Sequence, residues 1–97
     1  MIKEVVLLQI KAGHEDSFEN DMRKASVYIS RSKGYIKHEL LKSAQESHKY
    51  ILTVDWLDIE SHTEGFRKSA DYQEWKKLLH HYYDPFPKVE YFTPINF

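Results

Sequence analysis

The sequence contains no cysteine, which removes disulfides, thiolate metal sites and cysteine nucleophiles from consideration. Three glycines and three prolines leave no material for a glycine-rich phosphate loop or a proline-rich linker. Neither sign of charge is in excess. Fourteen Lys and Arg against fifteen Asp and Glu, interspersed along the chain, give a formal net charge of -1 and no electrostatic footprint for nucleic acid or an anionic membrane. Long hydrophobic runs are missing too. The first apolar stretch, IKEVVLLQI, is too short and too charged for a signal sequence or a membrane span. The expectation is a soluble, cytoplasmic protein with no nucleic-acid or membrane partner, no metal and no required cofactor.

What is present is a single domain, residues 1–97, rich in large side chains: 41% of residues are hydrophobic and 14% aromatic. A chain this short buries only about 60–65% of its unfolded surface, so its own core is modest. Ile2 to Ile10 reads as a β-branched, nearly continuous apolar strand of the kind covered on both faces. A helix follows, with Gly13 as its N-cap and Phe18, Met22, Ala25 and Ile29 as one stripe; Gly34 reads as its C-terminal glycine. YIKHELLK alternates as a strand with Ile36, His38 and Leu40 on one face. KYILTVDWL returns with Tyr50, Leu52, Val54 and Trp56 on one side and Ile51, Thr53 and Asp55 on the other. Asp58 is placed to cap a helical piece through IESHTEGFRK, a break is expected near Arg67 to Ser69, and Ser69 caps a second piece ending at DPFP. KVEYFT is the last strand.

The order β-α-β-β-α-β predicts an α+β, ferredoxin-like protomer, a four-stranded antiparallel sheet with helices on one face. Strands one and three carry apolar residues on both faces, so the bare face calls for a second copy. The prediction is a C2 homodimer packed sheet to sheet.

The most conspicuous motif is EWKKLLHHYYD. On a helical wheel Tyr72, Trp75, Leu78, Leu79 and Tyr82 form one stripe, while His80 and His81 point apart and cannot chelate one ion. Both histidines read as surface residues near a helix C-terminus. Quieter histidines are better placed for chemistry. Ile59, His62 and Phe66 share a helical face, and His38 lies between Ile36 and Leu40 on its strand. Either ring, with an ordinary pKa near 6.5, suits a general base. The aromatics Tyr50, Trp56, Phe66, Tyr72 and Trp75 are candidates to line a flat apolar slot. Asp55 reads as a polar contact at the dimer interface.

The pieces VDWLD, GFRKS, YQEW and VEYF, together with KGYIKHELL, resemble the antibiotic biosynthesis monooxygenase family over nearly the whole chain. That resemblance implies a dimeric α+β barrel with a pocket between the outer face of the sheet and the helices. It implies either cofactor-independent oxygenation of anthrones or quinols, or oxidative haem degradation. Haem-degrading relatives carry an Asn on strand one, a Trp aligning with Phe66 and a His near Lys76; this chain has none of the three. Quinol-oxidising relatives often show His-x-x-Ser where this chain has Phe66-Arg67-Lys68-Ser69, and a second His where it has Asp71. The resulting expectation is a monooxygenase acting on an aromatic quinol- or anthrone-like molecule, with His62 and His38 as catalytic bases. The alternative is a non-catalytic dimer that binds a small ligand such as haem, or a stress-related accessory protein.

Overall fold

The computed structural model describes residues 1–97. Strands β1 (Ile2–Gln9), β2 (Tyr35–Lys42), β3 (Lys49–Trp56) and β4 (Val89–Phe92) form one sheet in the order β2-β3-β1-β4, with every neighbouring pair antiparallel. Helices α1 (Glu15–Ser30) and α2 (Ala70–Leu79) pack on one face of it. This is the ferredoxin-like arrangement expected from the element order.

Alternation along each strand decides what the helices cover. Register pairs Glu4 with Val54 and Tyr91, and Val6 with Leu52 and Val89. The covered face therefore carries Val6 and Leu8 of β1, joined by Ile10 beyond its end, and Tyr50, Leu52, Val54 and Trp56 of β3, all buried. From α1 come Phe18, Met22, Ala25 and Ile29, the stripe read from the sequence, and from α2 Trp75 and Leu79. Full burial of each of the larger apolar side chains stabilises by about 1.5–3 kcal/mol. One residue on the covered face breaks the pattern: Glu4 carries an ionisable carboxyl and is only 5% exposed.

The connections refine the expected boundaries. Gly13, at φ 83°, precedes α1, and His14 takes the cap position. Gly34 lies beyond the α1 cap, which is Arg31, and leads into β2 at φ 87°; a Cβ there would overlap the Ser61 hydroxyl. Asp58 does cap the piece after β3, its Oδ1 accepting the Ser61 N–H at 2.8 Å and hydroxyl at 2.7 Å. That piece is a π-helical turn, Ser61–Phe66, closed by the Arg67 N–H donating to the His62 carbonyl at 2.9 Å. Its wider winding departs from the helical face expected for Ile59, His62 and Phe66. His62 and Phe66 are buried, whereas Ile59 is turned out. Ser69 starts α2 as expected, its hydroxyl oxygen accepting the Tyr72 N–H.

Candidate active site

A cavity opens between the helix-covered face of the sheet and α2, not on the outer face of the sheet. Its walls come from the β1 residues Glu4, Val6 and Leu8, from His62, Phe66 and Arg67 of the π turn, from Tyr72 and Trp75 of α2, and from His80, Tyr83, Phe86 and Pro87 beyond it. The empty volume is about 510 Å³ including the solvent-open mouth, narrow inside, and ten of the fifteen lining residues are hydrophobic. The break between the π turn and α2 brings Phe66 edge-on to both Tyr72 and Trp75, at centroid distances of 5.5 and 5.7 Å. These three rings make the aromatic wall.

The polar end is a buried cluster built on Glu4. Trp56, behind the cavity wall, donates its indole N–H to Glu4 Oε1 at 2.8 Å and stacks on His62 at 5.3 Å between ring centroids. His62 presents Nε2 to the same Oε1 at 3.5 Å, while its Nδ1 lies 2.6 Å from the Tyr91 hydroxyl. With the ring proton on Nε2, facing the carboxylate, Nδ1 accepts the hydrogen bond from Tyr91. Burial pushes the Glu4 carboxyl up to about 7, against the smaller opposing pull of the Trp56 N–H and the Arg67 charge. Burial, helped by the Arg67 charge, pushes His62 down to about 4. The imidazole is neutral at pH 7, and the carboxyl is poised there to take or release a proton.

The candidate residues divide. His62, Phe66, Tyr72 and Trp75 meet at the cavity. Trp56 does not line it but orients Glu4 and His62 from behind. Tyr50 lies elsewhere in the core, its hydroxyl donating to Glu19 at 2.6 Å and its ring packed on Phe18. His38 is also apart. It occupies the edge strand β2 under α1, where Nε2 meets the Ser26 hydroxyl at 2.9 Å and Nδ1 the Tyr35 hydroxyl at 2.5 Å. Burial lowers its proton affinity, and it borders a separate shallow groove with Met22 and Leu40.

Two residues of this site stand apart from the sequence expectations. Glu4 was hidden in an apolar run, although its parity with Val6, Leu8 and Ile10 was a usable signal. His80, expected on the surface, is half-buried and lines the cavity. Helix α2 ends at Leu79 and the chain tightens into a 3-10 turn, His80–Tyr82, which packs the His80 ring against Tyr72, Tyr83 and Phe86. His81 stays exposed. No three His, Asp or Glu side chains converge as metal ligands, and no helix is long and apolar enough to cross a membrane.

The outer face of the sheet is mixed. Leu7, Leu41, Ile51 and Phe92 are exposed beside charged residues. Asp55 is only 2% exposed there. Lys3 Nζ sits 2.8 Å from its Oδ1 as an ion pair, yet neither carboxylate oxygen receives a well-directed hydrogen bond.

Comparisons with known proteins agree with this architecture. The chain is 53% identical over 95 residues to the uncharacterized protein YczJ of Bacillus subtilis (strain 168), covering 98% of this chain and all of that one. A solved structure from Bordetella bronchiseptica, described as a candidate antibiotic biosynthesis monooxygenase, superposes with a TM-score of 0.93 at 30% identity, covering 98% of this chain and 97% of that one. The fold also matches SnoaB, a cofactor-independent oxygenase from Streptomyces nogalater, with a TM-score of 0.85 at 16% identity, covering 99% of this chain and 94% of that one. The profile of the antibiotic biosynthesis monooxygenase family matches residues 1–78, and the chain belongs to that family.

Proposed function

We propose that the cavity binds a flat, anthrone- or quinol-like aromatic molecule and oxidises it with molecular oxygen without a cofactor. The observation that carries this reading is the buried Glu4–His62 pair, backed by the half-buried Tyr91 hydroxyl on His62 Nδ1, at the polar end of an aromatic-walled cavity. An acid kept near neutrality by burial is what abstraction of a weakly acidic C–H or phenolic proton requires.

For an anthrone the steps are these. The Glu4–His62 pair takes a proton from the activated CH2 group. The proton rests on the carboxylate, because a carboxyl at about 7 holds it better than an imidazole at about 4. The carbanion left behind passes an electron to O2, and the resulting radical pair joins as a C–O bond, giving a peroxide anion. Glu4 returns its proton to the distal oxygen. Loss of the remaining C–H proton then expels hydroxide from the O–O bond, yielding the ketone of a quinone and, after protonation of the hydroxide, one water. The chain's tasks are to deprotonate, to hold the anion in a low-dielectric slot and to keep water out. His62 and Glu4 are the catalytic residues; Phe66, Tyr72 and Trp75 are the aromatic wall, with Trp56 as a positioning residue. His38 and Tyr50 have no place in this scheme.

A second copy of the chain is the partner this reading assigns to the outer sheet face, where Leu7, Leu41, Ile51 and Phe92 lie exposed around the buried Asp55. Oxygen-electrode measurements with a panel of anthrones and hydroquinones test the activity. Protein-dependent uptake of one O2 per quinone formed supports it, and no uptake above the spontaneous rate across the panel overturns it in favour of a non-catalytic ligand-binding protein.

A further inference from the structure

The cavity has two ends of opposite electrostatic character. At the inner end Glu4 is buried and acidic, the one acidic residue among those lining the space. At the mouth stands Arg67, exposed and the one lining residue with a permanent positive charge. The backbone of Arg67 is fixed by the N–H bond that closes the π turn on the His62 carbonyl. Its side chain has no ion-pair partner. The contrast is with Arg31, whose guanidinium is occupied by both oxygens of Asp71, at 2.8 and 2.7 Å. The Arg67 charge is nonetheless felt inside the site. It lowers the proton affinity of Glu4, His62, His80 and Tyr91, groups drawn from four separate segments at or beside the cavity.

We propose that Arg67 is a specificity-determining residue that selects aromatic substrates bearing a carboxylate, holding that group at the mouth while the ring system enters toward Glu4 and His62. This rests on the reading of the cavity as an aromatic-ligand site. A guanidinium is the side chain whose planar fork matches a carboxylate with two parallel N–H donors. Its exposure lets the charged group of the ligand stay partly hydrated, so no desolvated charge has to be carried inward. The inner end enforces the same orientation, because a carboxylate inserted ring-last would meet the Glu4 carboxyl in an apolar enclosure. The oxidisable carbon is thereby directed toward the proton-accepting pair.

The test needs no turnover. Trp75 lines the cavity, so intrinsic fluorescence reports occupancy, and the non-oxidisable product-like pair anthraquinone-2-carboxylate and anthraquinone-2-carboxamide differ only in charge. In the unmodified protein the carboxylate is expected to bind on the order of tenfold more tightly than the carboxamide, the effect of one partly exposed charge-assisted contact. Arg67→Gln should bring the two affinities together, and Arg67→Lys should retain part of the preference, since it keeps the charge and loses the fork. Equal affinities in the unmodified protein, or a preference that survives Arg67→Gln, would overturn the assignment of Arg67 and leave the cavity reading standing. Failure of both quinones to bind would overturn the cavity reading and this inference with it.

Discussion

Removing each member of the Glu4–His62 pair should change the pH dependence of stability in opposite directions. The Glu4 carboxyl is raised from 4.5 to about 7 in the folded chain. Between those values the folded state holds a proton that the unfolded state has lost, so this group's contribution is full below pH 4.5 and declines as pH rises toward 7. His62 is lowered from 6.5 to about 4. Between those values the unfolded state holds the extra proton, so the folded state gains stability as pH rises from 4 to 6.5. Each displacement corresponds to roughly 3 kcal/mol. Across pH 4.5 to 6.5 the two slopes oppose each other, and the unmodified protein shows neither cleanly. His62→Gln removes the rising contribution, so relative to the unmodified protein its stability should fall by roughly 3 kcal/mol across that window. Glu4→Gln removes the falling contribution, and its relative stability should climb by a similar amount. Urea denaturation of the three proteins at half-unit pH intervals measures both differences, with the titration of all other groups cancelling. Two parallel profiles, or slopes of the reverse sign, would refute the assignment of burial as the origin of both shifts.

Other perturbations follow from the same geometry. Gly34→Ala combines a left-handed backbone with overlap on Ser61, and should cost about 2 kcal/mol or more in denaturant unfolding; a change below about 0.5 kcal/mol would contradict the close approach of β2 to the π turn. Trp56→Phe removes the N–H that pulls the Glu4 carboxyl down, so the acidic limb of the pH–rate profile should move to higher pH, with a stability loss of about 1–3 kcal/mol; an unmoved limb would show that the indole is packing alone. His38→Ala should leave oxygen uptake near its starting rate while His62→Ala abolishes it, and equal losses would return His38 to the site. Analytical ultracentrifugation at micromolar concentration should find a dimer; a monomer would remove the second copy from the outer sheet face.

Much of this fold was legible because strand alternation and helix stripes were both clean. Tyr50, Leu52, Val54 and Trp56 share one parity, Phe18 to Ile29 one stripe, and all are buried where that pattern placed them. The site was legible only in part, for specific reasons. In IKEVVLLQI apolar residues on both parities conceal which set faces the helices, so the charge at Glu4 did not stand out. His38 has the inward parity, opposite Val54, but strand order sets β2 at the edge under α1, and neighbouring order is not written in local pattern. His62 and Phe66 were found through a helical period. The π winding that actually holds them, and the 3-10 tightening that packs His80 into the cavity wall, are departures from that period which tertiary packing selects.

The pairing of a buried carboxyl with a neutral imidazole as the proton acceptor is tested most directly by steady-state oxygen uptake on an anthrone, comparing the unmodified protein with folded Glu4→Gln at pH 7. Loss of a positioned general base lowers turnover by about 10²–10⁴-fold, and a reduction in that range with the aromatic-ligand affinity retained is the expected result. A Glu4→Gln protein that turns over within about threefold of the original would contradict it.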